Sequence, residues 1–313
     1  MPTRLILNAD DFGLTRGINH AIEDLHHAGA LTSATLMATG PAFEDAVTVA
    51  LRNPTLGVGC HLVFTDGVPV SHPHDIQSLL GADGKTFRPS LPDFAQALLR
   101  GTVRMEELAR EAQAQIQKLQ RASIDVTHID SHKHTHLFPA VARPVLYVAE
   151  RCGVRAFRYP CEPRWSRNLK VNGAPLSRRL AQAAFDLFEP GFRRAINLNT
   201  DEKTTSGTLG IAATGTLTTV NLLTLLEQAA RQPAGSLFEL CCHPGFHDAD
   251  LDQQRTRLRN SREVEYKALL AVVPELSRTP GTFELIHYGN LGVPGLQRAT
   301  CQFTPCTGYE KVL

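Results

Sequence analysis

Four short apolar runs in this chain each end at a carboxylate or an imidazole, and that placement restricts the folds open to it. Arg4-Leu5-Ile6-Leu7-Asn8 leads into Asp10-Asp11, and Leu56-Gly57-Val58-Gly59-Cys60 leads into His61. Val126 to Asp130 leads into His132, and Ser236 to Cys242 leads into His243. Between the runs lie stretches with helical spacing, as in Met105, Leu108, Ala112, Ile116 and Leu119. Strands that alternate with helices form a parallel sheet with helices outside it. The C-terminal ends of such strands share one rim, where active sites are built. Residues far apart in sequence then converge on one mouth.

The pattern predicts strands over residues 4–8, 33–37, 56–62, 126–130, 154–158, 236–242 and 283–286. It predicts helices over 17–27, 42–52, 103–121, 139–153, 177–187, 220–231 and 253–273. Residues 69–92, rich in Gly, Pro, Ser, Asp and His, read as a long functional or mobile loop, and 203–215 as a Thr/Gly-rich loop. The 313 residues suit one barrel-sized domain over 1–292, with 293–313 as a surface extension.

Composition excludes several functions. Thirty-two Lys and Arg against 31 Asp and Glu leave a formal charge of +1, so nothing favours nucleic acid or an anionic membrane surface. No apolar run approaches a membrane span. The chain enters its first strand at Arg4 without a signal-like leader, so the expectation is a cytoplasmic protein, with a homodimer left open. Cys60, Cys152, Cys161, Cys241, Cys242, Cys301 and Cys306 are scattered without a Cys-x-x-Cys pair, which argues against a disulfide framework or a structural zinc site.

The chemistry lies at the strand ends. Adjacent carboxylates such as Asp10 and Asp11 repel unless a cation or a proton separates their roles, so one can hold a metal while the other acts as a base. A simpler use is capping the following helix. His61 follows two glycines that permit close backbone approach; it is a ligand or a hydrogen-bonded core residue. In Asp130-Ser131-His132-Lys133-His134-Thr135-His136, an extended chain would align all three imidazoles, and a helix would align His132 with His136. Either geometry suits a metal, although a solvated histidine cluster has the same composition. His243 suits general acid–base work. Cys242 beside it suggests a Cys–His nucleophile, but strand neighbours point to opposite faces, so buried inert thiols are expected. Arg158, at another strand end, is placed to hold Asp10, to touch a sugar or to form a structural ion pair.

Taken together, Asn8-Ala9-Asp10-Asp11-Phe12-Gly13-Leu14, Leu31-Thr32-Ser33-Ala34-Thr35-Leu36-Met37, Leu56 to Leu62, Asp130 to His136 and Cys242-His243-Pro244-Gly245 resemble the YdjC-like carbohydrate deacetylase family. The resemblance implies an α/β fold, a distorted (β/α) barrel related to polysaccharide deacetylases. It implies one divalent metal held by Asp11, His61 and His132, with Asp10 as base and His243 as acid. His134, His136 and Arg158 would orient these groups or line the substrate. Magnesium is the metal the family suggests; two imidazoles and one carboxylate are softer than a usual magnesium site, so zinc, manganese and cobalt stay open. The implied substrate is an N-acetylated amino sugar, a chitooligosaccharide or an N-acetylglucosaminyl glycolipid. Hydrolysis would release acetate, with a bell-shaped pH profile limited by Asp10 on its acidic side and His243 on its alkaline side. The alternatives are a metal-using isomerase or amidohydrolase, a two-carboxylate glycosidase, or a sugar-binding barrel without catalysis.

Overall fold

The computed structural model describes residues 1–167, 169, 176–196, 204–277 and 281–291. The chain order is β1 (Thr3–Phe12), α1 (Arg16–His27), β2 (Ser33–Leu36), α2 (Phe43–Arg52), β3 (Gly57–Leu62), α3 (Leu91–Leu99), α4 (Met105–Arg121) and β4 (Val126–Ser131). It continues through α5 (Pro139–Arg151), α6 (Arg164–Arg167), α7 (Leu176–Ile196), β5 (Thr208–Leu209), α8 (Thr219–Ala230) and β6 (Leu237–Cys242). The last elements are α9 (Ala249–Asp252), α10 (Asn260–Ser277) and β7 (Phe283–Ile286). Every strand pairing is parallel, in the order β4-β3-β2-β1-β6-β5, with β7 also joined to β1. The sheet curls into a half-barrel, which agrees with the parallel sheet expected from the alternation and with the distorted α/β barrel that the family resemblance implies.

The curl is visible in a contact between its two sides. Tyr288, just beyond β7, stacks on His128 of the edge strand β4, with ring centroids 3.9 Å apart at 16°. Gly59 on neighbouring β3 makes room, because a Cβ there would lie 2.4 Å from the His128 ring. Burial pushes the His128 pKa down to about 3. A histidine depressed in the folded state contributes stability above its ordinary value of 6.5, and that stability is lost as pH falls toward about 3. The unfolding free energy from urea titrations should therefore fall between pH 6.5 and 4 at up to about 1.4 kcal/mol per pH unit from this group. His128→Phe, which keeps an aromatic ring, should flatten that slope; an unchanged slope would assign the acid sensitivity to other groups.

Several expected boundaries shift. Residues 154–158 form no strand; Phe157 makes an isolated parallel bridge to Ile129 instead. Pro160 follows closely and lacks the N–H needed to extend the ladder. The expected helix over 253–273 starts later, at Asn260, and runs to Ser277 as α10, the helix over 177–187 runs to Ile196, and β5 forms within the expected Thr/Gly loop. The 69–92 segment is pinned by α4: Glu111 accepts from the Val70 and Ser71 amides at 2.9 Å, and Glu107 accepts from Ser78 at 2.6 Å. The expected extension 293–313, with Cys301 and Cys306, lies outside the described residues.

Candidate metal centre

Asp10 and Asp11 close β1, and neither caps α1; Thr15 does, accepting from the Ile18 amide at 3.2 Å. In a regular strand these neighbours would face opposite ways. Here the register shifts between Ala9 and Phe12, and Asp11 takes a left-handed φ of 65°. This irregularity lets both carboxylates serve the same mouth, Asp11 with His61 and His132 and Asp10 with Cys241 and His243, while Asp10 also lies within 4.8 Å of the His61 and Asp130 donor atoms.

Asp11 Oδ1 lies 3.6 Å from His61 Nε2 and 3.3 Å from His132 Nδ1, and all three donor atoms lie within 4.8 Å of one another. His61 is fixed from behind, its Nδ1 2.7 Å from Asp130 Oδ1. A carboxylate can only accept there, so Nδ1 carries the proton and Nε2 is the nitrogen that faces the Asp11 oxygen. Either a proton on Nε2 or a metal ion between the two atoms satisfies both. Burial alone would lower the His61 pKa, but Asp130, Asp10 and Asp11 raise it to about 9. The pocket thus favours positive charge at this point. The edges fit donors about 2 Å from a common ion, and carboxylate–histidine support is usual behind a ligand. The donor set therefore fits one divalent ion with open coordination positions.

Neither expected arrangement of the three histidines occurs. Residues His132–Leu137 form a 3-10 turn in which Lys133 and His134 have left-handed φ values of 55° and 54°. The turn sends His132 to Asp11 and His136 away. His136 Nε2 lies 3.3 Å from the Arg158 carbonyl and so donates to it; its Nδ1 then accepts from the Ser131 hydroxyl at 2.6 Å. The ring is buried, and its pKa is pushed down to about 4. His134 is half-buried beside it, ring centroids 6.5 Å apart, and desolvation holds its pKa well below the ordinary value.

Arg158 is fully buried and central rather than a surface ion pair. Its Nη2 and Nη1 donate to Asp10 Oδ1 and Oδ2 at 2.6 and 2.8 Å. Nη1 also reaches Asp130 at 2.6 Å, and Nε and Nη2 donate to Glu239 at 2.9 and 2.7 Å. Tyr288 donates to the other Glu239 oxygen at 2.7 Å. Burial opposes ionisation of Asp10, but Arg158 outweighs it and holds the carboxyl far below the usual range. An acidic limb of a pH profile therefore does not come from Asp10 in the ordinary range, which corrects that expectation.

His243 follows β6, its Nε2 3.8 Å from Asp10 Oδ2. Burial lowers its pKa, against the pull of Asp10 and Glu265. The thiols of Cys241 and Cys242 are buried, and burial pushes both up, which argues against either as an activated nucleophile.

Two buried residues of α10 had no distinguishing pattern in the sequence. Arg262 Nη2 donates to Asp11 Oδ2 at 2.6 Å, and Glu265 accepts from the His243 amide at 2.6 Å. Gly245 admits this arginine, because a Cβ there would meet Arg262 Cδ at 3.1 Å. One helix thus aligns the ends of β1 and β6. Removing a group that orients a ligand typically weakens metal binding about 10–100-fold. Arg262→Met should raise the dissociation constant of the ion by that factor in calorimetry. Tighter binding would mean that Arg262 competes with the ion instead of positioning Asp11.

The fold and site define an α/β half-barrel protein with a carboxylate–imidazole cluster at its strand ends. Residues 4–273 match the family model described as YdjC-like protein, and the chain belongs to that family. It is 30% identical over 287 residues to a chitooligosaccharide deacetylase of Salmonella dublin, covering 89% of this chain and 97% of that protein. It is 45% identical over 157 residues to a carbohydrate deacetylase of Brevibacillus brevis, covering 50% of this chain and only 59% of that relative. Among solved structures, an Enterococcus faecalis V583 protein provisionally named for cellobiose-phosphate cleavage superposes with a TM-score of 0.73 at 24% identity. That match covers 94% of this chain and all of the other, and bears on the fold alone.

Proposed function

We propose that this chain is a divalent-metal-dependent hydrolase that removes the acetyl group from an N-acetylated amino sugar. The observation that carries the reading is the convergence of Asp11, His61 and His132 beside a second, separately held carboxylate, Asp10. The names of the relatives supply the substrate class. Asp11, His61 and His132 would hold the ion. When bound it would polarise the acetyl carbonyl and acidify a water, help that a carboxylate as weakly basic as Asp10 requires. Asp10, kept ionised by Arg158, takes the proton of the attacking water. His243 donates a proton to the departing nitrogen. The C–N bond breaks, and acetate and a free amine leave. His136 donates to the Arg158 carbonyl, and the His134 ring lies beside His136.

We take the ion to be magnesium, as the sequence resemblance implies, with zinc, manganese and cobalt admitted by the two imidazoles. We also read 1–292 as one catalytic domain, and the cytoplasm, where thiols stay reduced, as its setting; the five described cysteines are buried. Among the described residues no helix is long and apolar enough to cross a membrane.

The test is acetate release from N-acetylglucosamine, chitobiose, longer chitooligosaccharides and N-acetylglucosaminyl lipids. Chelation should abolish it, and the ion should restore it. His132→Ala should lose the ion, whereas His134→Ala and His136→Ala should keep it. Turnover that survives complete chelation would favour a two-carboxylate glycosidase.

A further inference from the structure

The period of β6 places Cys241, not Cys242, on the same face as His243. Cys241 Sγ lies 3.4 Å from Asp10 Oδ2, and His243 Nε2 lies 3.8 Å from the same oxygen. The three donor atoms lie within 4.8 Å of one another. Zinc-class bonds of about 2.0 Å to oxygen and nitrogen and 2.3 Å to sulfur give tetrahedral edges of roughly 3.3–3.7 Å, close to these separations. The His243 side chain is 12% exposed, which gives an ion a way in. Its Nδ1 has no hydrogen-bond partner among the described residues, so the ring is free to adjust.

We propose that Asp10, Cys241 and His243 form a second metal site, separate from the Asp11 centre, which takes a thiophilic divalent ion such as zinc or cobalt and blocks the enzyme. Binding breaks the Cys241 S–H bond, forms a sulfur–metal bond and releases one proton to solvent. Magnesium, which prefers oxygen donors, does not fill the site.

The charges rank the two sites. Four buried carboxylates, Asp10, Asp11, Asp130 and Glu239, face the guanidiniums of Arg158 and Arg262. One divalent ion at Asp11 balances the formal negative excess of these six groups. A second ion arrives without that excess, beside Arg158 Nη1 at 2.8 Å from the same Asp10 oxygen, and must displace a thiol proton. The second site is therefore the weaker, filled only when the ion is in excess. Once filled, it occupies both the proposed base and the proposed acid.

The effect on turnover rests on the deacetylase reading; the binding does not. The experiment titrates the metal-free protein with Co2+ and follows absorption and calorimetry together. The first equivalent should bind without a thiolate-to-cobalt charge-transfer band, and a weaker second equivalent should bring that band with release of one proton. Cys241→Ser should lose the band and keep the first equivalent, and Cys242→Ser should keep both. His243→Ala should weaken the second equivalent at least ten-fold, which reads the site independently of the cysteine variants. With a confirmed substrate, excess Zn2+ should inhibit the natural protein at least ten-fold more strongly than Cys241→Ser, and the same excess of Mg2+ should not inhibit. Absence of the band, its persistence in Cys241→Ser, or equal zinc inhibition of both proteins would overturn the second site. A band that behaves as stated, in a protein that releases no acetate, would uphold the site and remove the deacetylase reading instead.

Discussion

Asp10→Asn is expected to lower turnover of an N-acetylated amino sugar by about 10²–10⁴-fold, the range a positioned general base supplies, while the protein keeps its metal. The separation of the two effects follows from the geometry. Asp10 is engaged by Arg158 and Asn8, whereas Asp11 is the carboxylate that faces His61 and His132. An amide at position 10 fills the same volume but cannot accept the proton of water. Arg158 would still face Asp130 and Glu239, so the fold should persist. Metal content by elemental analysis and acetate release should be measured on the same preparation. If Asp10→Asn strips the ion while Asp11→Asn spares it, the two carboxylates have exchanged roles. Near-normal turnover by both Asp10→Asn and His243→Ala would discard the hydrolytic scheme.

Arg158→Met should be the most damaging single change to stability. One guanidinium here serves three buried carboxylates, Asp10, Asp130 and Glu239. Breaking a buried ion pair by removing one partner costs about 3–5 kcal/mol, because a buried charge is left unpaired. Burial opposes the charge on Asp10 and Asp130, and Arg158 is the largest influence that lowers their pKa values. With folded pKa values depressed below the ordinary 3.8, these acids contribute stability above that pH, and it is lost as pH falls. Without Arg158 their folded pKa values rise, so the variant should be most destabilised near neutral pH and partly recover toward pH 5. Urea unfolding at several pH values reads this directly. Arg158→Lys should not rescue it, since an ammonium group lacks the planar fork that reaches three carboxylates. A loss below about 1 kcal/mol at pH 7, the range of an exposed pair, would show that solvent already screens the cluster.

Much of the site could be read before any coordinates, because strand ends are marked locally. An apolar run stops, a carboxylate or imidazole follows, and parallel topology collects the ends on one rim. Asp10, Asp11, His61, His132 and His243 were accessible in this way, and the structure brings them together. Two further participants left a local trace. Asp130 opens the histidine motif, and Glu239 interrupts Leu237-Phe238 and Leu240-Cys241-Cys242, a charge inside an otherwise apolar strand. A charge so placed needs a buried partner, although its neighbours do not say which.

The sequence by itself determined the alternation of strands and helices, the rim and the residue types that reach it, since periodicity and strand ends depend on near neighbours. Only the tertiary structure decided which donor faces which. The irregularity at Asp11 turned that carboxylate toward His132 and Arg262 and left Asp10 to Arg158, and the left-handed Lys133 and His134 broke up the three histidines. The curl of the sheet brought Arg158 to Glu239, and α10 carried Arg262 across the chain to Asp11. Those pairings join residues 81 and 251 positions apart. Their energy comes from burying opposite charges together, and a chain has no short-range pattern that encodes that term.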